Sequence, residues 1–130
     1  MIDYNNLFDY KKPTVQLLGK WQPWHEGHTE LFKKALTITG QVVIMVREVY
    51  GSEEDAPFGE ISVIDNIKQS LEAEGYYDGQ HYIILVVPNI VDVSYGCNES
   101  FSLTEHNLGS NIHEISSAEI REKLREEGKL

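Results

Sequence analysis

The stretch Val15-Gln16-Leu17-Leu18-Gly19-Lys20-Trp21-Gln22-Pro23-Trp24-His25-Glu26-Gly27-His28 decides how this chain is read. Its first four residues are short and apolar like an inner strand, and beyond it Leu31, Phe32, Ala35 and Leu36 recur at helical spacing. The segment from Gly19 to His28 is therefore the turn by which a buried strand becomes a helix. Two histidines three residues apart at a helix start set two imidazoles on one side of the helix mouth. Gly27 leaves no side chain there to hold a ligand away from the backbone.

Working outward, Met1 to Lys12 is a polar and aromatic arm without a clear period, closed by Pro13. Thr14 to Leu18 reads as the first strand, and the helix after the histidines runs to about Ile38, stopping before Gly40. Gln41 to Val46 is nearly all apolar and β-branched, as expected of a strand covered on both faces. Arg47 to Gly59 is a loop with three consecutive acids at Glu53, Glu54 and Asp55. Ile61, Ile64, Ile67 and Leu71 then predict a helix over Glu60 to Glu74, stopped by Gly75. His81 to Val87 repeats the buried-strand composition, and Pro88 ends it.

Asn89 to Asn111 is irregular, with a short fourth strand expected from Ile90 to Gly96 and a last one over Ile112 to Ile115. A final helix starts at Ser117, with a serine N-cap, early acids, later bases and a closing Gly128. Alternating strands and helices predict an α/β fold, Rossmann-like, with three α/β/α layers around a five-stranded, mostly parallel sheet. A chain of 130 residues fills one such domain, with residues 1–12 as its arm.

Composition narrows the function. With 21 acidic and 11 basic side chains the net charge is -10, which opposes general affinity for nucleic acid or for an anionic membrane. An anionic ligand must therefore be held locally. The single cysteine, Cys97, excludes an internal disulfide and a thiolate-rich zinc site and fits a reducing compartment. Neither a signal peptide nor a membrane span is visible, so a soluble, cytoplasmic protein is expected.

In a doubly wound sheet, ligands bind beyond the carboxyl ends of the strands. The histidine turn, Arg47, Pro88-Asn89 and Tyr95 to Asn98 lie at such ends, and Ser116 and Ser117 at the last helix start reach the same mouth. Helix N-termini offer free N–H groups and a positive dipole end, which suit phosphate.

Gly19 to His28 resembles the HxGH signature of the nucleotidyltransferase superfamily. Ile115-Ser116-Ser117-Ala118-Glu119-Ile120-Arg121 resembles that superfamily's second signature, a hydroxyl pair followed by a basic residue at the start of the last helix. The two motifs stand in the superfamily's order and frame nearly the whole chain. The resemblance implies attack by a phosphate-bearing small molecule on the α-phosphate of ATP or CTP, with release of pyrophosphate. By resemblance His25 and His28 stabilise charge on the α-phosphate, and Lys20 and the backbone of Trp21 and Gln22 lie beside the phosphates. Ser116, Ser117 and Arg121 would bind the β- and γ-phosphates, and magnesium would ride with the nucleotide. The sequence itself shows no dedicated metal cage.

The Gln-Pro-aromatic-His form leans toward adenylyl rather than cytidylyl transfer. Gly96 and Asn98 stand where members of the superfamily contact the base, but Cys97 replaces a frequent basic residue. Arg47, Trp24 and the Pro57-Phe58 loop are the candidates for the second substrate, and members often form dimers, so a homodimer is an expectation. Each residue also has a plainer reading. The tryptophans could be packing residues, Ser117 is an N-cap in any case, and Arg121 could pair with Glu122 or Glu126. His81, His106 and His113 are scattered and carry no assigned chemistry. The competing class is a catalytically idle nucleotide-binding module serving as a sensor or assembly domain. A flavodoxin-like or response-regulator-like protein lacks the aspartates and the flavin phosphate loop it would need.

Overall fold

The computed structural model describes residues 6–51, 56–96, 101–106, 122 and 124–128. Within them the chain alternates strand and helix: β1 (Val15–Gly19), α1 (Glu26–Thr39), β2 (Val42–Arg47), α2 (Glu60–Glu72) and β3 (Tyr82–Val87). The three strands form one parallel sheet in the order β1-β2-β3. Parallel neighbours need a crossover between them, and α1 and α2 supply it.

Register fixes the faces. Leu17 lies opposite Ile44, and Ile44 opposite Ile84, so alternate residues of the three strands share one side. On that side Leu17, Val42, Ile44, Val46 and Tyr82 form one core with Phe32 and Ala35 of α1 and Val63, Ile67 and Leu71 of α2. Both helices are amphipathic; α1 buries Phe32 and Ala35, and α2 buries Val63, Ile67 and Leu71, while Ile61, expected in that stripe, is 73 % exposed. Val43, Met45 and Arg47, on the opposite face of β2, are only half-buried. Among the described residues α1 and α2 pack on one face of the sheet.

Helix ends follow local chemistry. Gly40 ends α1 in the left-handed conformation, φ 86°, with its N–H donating to Leu36 O. At the base of the sheet the buried side chain of Gln41 accepts from Asp9 N and donates to Asp9 O and Thr14 Oγ1. Phe8 N donates to Gly79 O at 2.9 Å. The later part of the arm is thereby docked onto the domain; its lack of periodicity concealed an anchor supplied from across the sheet.

The fourth strand expected to end at Gly96 is not formed, and residues 88–96 run as irregular chain. The reason is burial: Val91 is 82 % and Tyr95 62 % exposed, so these apolar side chains meet no packing surface among the described residues. Ile112 to Ile115, and the start of the final helix at Ser117, lie outside the described residues. Residues 124–126 are helical, and Leu124 stands beside Trp24 and Val63. No helix among the described residues is long and apolar enough to cross a membrane.

Candidate functional site

The site is built on the link from β1 to α1. Trp21 sits at φ 54°, an unusual backbone conformation for a residue with a side chain, and folds its indole back over the end of β1. A Cβ on Gly19 would stand 2.9 Å from that ring, so only glycine leaves room for it. Trp21 Nε1 donates to Met45 O at 3.0 Å, tying the turn to β2. Trp24 is likewise buried and donates to Thr29 Oγ1 at 2.9 Å. Both tryptophans are packing residues, and His28 rests against them with ring centroids 4.9 and 5.4 Å away.

His25 is the N-cap of α1. Its Nδ1 accepts from Gly27 N at 3.0 Å, and His28 Nδ1 accepts from His25 N at 3.1 Å. This is a capping box made from two imidazoles. The rings stack at 3.8 Å with 24° between their planes.

An Nδ1 that accepts a backbone N–H is unprotonated, so each ring carries its proton on Nε2. Burial holds His28 far below the ordinary imidazole range, to about 3, with the neighbouring His25 adding to the effect. Burial also lowers His25, with Glu26 acting in the opposite direction. At neutral pH the pair is two uncharged rings, each with one Nε2–H donor. Those donors stand at the positive end of α1, a 14-residue helix. Such an arrangement binds an oxyanion by hydrogen bonds and strengthens them as negative charge accumulates.

Three further bonds bolt the turn to the rest of the fold. Gln22 is 4 % exposed; its Nε2 donates to Phe58 O at 2.9 Å and its Oε1 accepts from Phe58 N at 2.8 Å. Asn66 Nδ2, on α2, donates to Trp24 O at 3.1 Å. The Pro57-Phe58 loop was expected only as a candidate for the second substrate, and Asn66 carries no signal in the sequence beyond its place in a helix. Their role depends on partners more than 30 residues away.

Arg47 ends β2 at the same end of the sheet. Its Nη2 donates to Asn89 Oδ1 at 2.7 Å, while its buried Nε has no hydrogen-bond partner among the described residues. A cleft of about 400 Å³ adjoins it, lined by Leu18, Arg47 and Ile90 to Val93. A second cleft of about 380 Å³ lies between the histidine turn and α2, walled by Trp21, Pro23, Trp24, Phe58, Val63 and Leu124 among others.

The structure thus brings Lys20, Trp21, Gln22, Trp24, His25, Gly27 and His28 together in one turn, with Lys20 half-buried at the end of β1. Gly96 lies exposed in the irregular run after β3. Asn98, Ser116, Ser117 and Arg121 lie outside the described residues. No family model matches this chain, and neither does any curated protein.

Proposed function

We propose that this protein is a nucleotidyltransferase that moves a nucleotidyl group from ATP or CTP, adenylyl being preferred, onto a phosphate-bearing small molecule and releases pyrophosphate. The observation that carries the reading is the stacked pair His25 and His28, held neutral and donating through Nε2 at the start of α1. An acceptor phosphate oxygen attacks the α-phosphorus, the bond from that phosphorus to the bridging oxygen breaks, and pyrophosphate leaves with the electron pair. The reaction needs no general base, because the attacking phosphate is already ionised at neutral pH. It needs alignment and donors at the oxygens where charge builds. The imidazole pair supplies those donors, and Lys20 supplies positive charge beside them in an otherwise acidic chain.

Arg47 suits the acceptor. Its buried Nε, which has no partner among the described residues, lies beside a cleft and suits an oxygen acceptor such as a phosphate. Ser116, Ser117 and Arg121 complete the triphosphate site in this reading, with Gly96 and Asn98 near the base. The same reading completes the sheet to five strands in a Rossmann-like α/β/α domain working in the cytoplasm, singly or as a homodimer.

Magnesium takes oxygen ligands, whereas the described turn offers two N–H donors and an ammonium. That set does not fit a protein-held magnesium ion, so the metal would enter on the polyphosphate. The test is pyrophosphate release from MgATP or MgCTP with a panel of phosphomonoesters. Release that depends on one acceptor supports the reading; nucleotide binding without release supports the idle binding module instead.

A further inference from the structure

We propose that the Gln22 side chain is a positioning group that fixes the Phe58 segment, and with it the entrance to α2, against the histidine turn. A primary amide can donate and accept at once, and Gln22 uses both functions on one residue, Phe58, as a neighbouring strand would. Gln22 is buried and Phe58 half-buried, so losing the amide takes one partner from the N–H and one from the carbonyl of Phe58. Phe58 immediately precedes Gly59, whose carbonyl accepts from Val63 N at 3.0 Å and opens α2. One turn further along, Asn66 returns to the carbonyl of Trp24. The histidine turn and the first part of α2 are therefore joined at two points.

The cleft of about 380 Å³ lies between these two joints. Its width is the distance from Trp21 and Trp24 to Phe58 and Val63, which Gln22 sets. The described residues lining it carry no charged side chain, which suits an uncharged and largely apolar part of a substrate. Gln22 touches no reacting atom in this account. It acts through Phe58, and its consequence for turnover rests on the transferase reading above.

The test compares Gln22→Met, which keeps the length and loses both bonds, with Gln22→Glu, which keeps an acceptor for Phe58 N–H but cannot donate to Phe58 O. Amide exchange is measured at Phe58, Val63 and Gly27. In Gln22→Met, exchange at Phe58 and Val63 rises by at least about tenfold, the equivalent of one net hydrogen bond, while Gly27 under His25 stays protected. Gln22→Glu falls between this variant and the wild type. In pyrophosphate release, Gln22→Met raises KM for one substrate roughly tenfold and leaves kcat within about threefold, because the imidazoles are untouched. Unchanged exchange at Val63, or a loss confined to kcat, overturns the proposal. If the wild type releases no pyrophosphate, the transferase reading fails and the exchange comparison alone decides the positioning role.

Discussion

Replacing His28 by asparagine and, separately, by glutamine divides its two functions. His28 Nδ1 accepts from His25 N at 3.1 Å, and Nε2 carries the donor proposed to meet phosphate. Asparagine puts an oxygen near the Nδ1 position and leaves nothing at Nε2. Glutamine puts an N–H donor near Nε2 and leaves nothing at Nδ1. For His28→Asn the cap survives, and the structural loss is the ring packing against Trp21, Trp24 and His25, about 1–2 kcal/mol. Catalysis loses a donor to developing charge, a decrease in kcat of roughly 10²–10³-fold. For His28→Gln the capping bond is lost as well, at a further cost of about 1 kcal/mol, while part of the turnover remains. Thermal unfolding and coupled pyrophosphate release measure the two quantities on the same samples. Turnover in His28→Asn equal to the wild type, or His28→Gln less active than His28→Asn, would refute the division.

Acid should weaken the fold through the same residue. His28 has an ordinary imidazole pKa of 6.5 when unfolded and about 3 when folded, so between these values the unfolded chain binds more protons. Stability contributed by the neutral ring is complete above the unfolded value and is lost as pH falls toward the folded one. From pH 7 to pH 5 the loss is about 2 kcal/mol, absent in His28→Asn and read from urea unfolding at each pH. Gly19→Ala drives a methyl into Trp21, destabilising by roughly 1–3 kcal/mol, with a changed tryptophan emission as the local signature. Gln41→Ala releases the backbone of the exposed Asp9 to water and should cost about 1 kcal/mol for each bond lost, with amide exchange rising at Asp9. Arg47→Met raises KM for the acceptor by about tenfold or more and leaves the nucleotide KM within threefold.

The strands and helices were legible because each carries its own period. β1, α1, β2, α2 and β3 fall within two residues of the expected ends, since apolar stripes, Gly40 and Pro88 act locally. Long-range anchoring was not legible. Gln41 docks the arm and Gln22 holds Phe58 through bonds spanning 32 and 36 residues, and a glutamine has the same local pattern whether it faces water or a distant backbone. Residues 90–95 show the opposite failure: a strand-like composition forms no strand where no neighbour among the described residues covers it. In the candidate site, the histidine spacing announced two rings on one helix mouth. Their tautomers followed only from the backbone donors that each Nδ1 accepts.

Phosphorus NMR of the purified protein with MgATP or MgCTP and a panel of phosphomonoesters tests the central claim most directly. Pyrophosphate is expected together with a new phosphoanhydride joining the nucleotide to one acceptor, both forming roughly 10²–10³-fold more slowly in His28→Asn. Nucleotide that stays intact with every acceptor while remaining bound to the protein would contradict it.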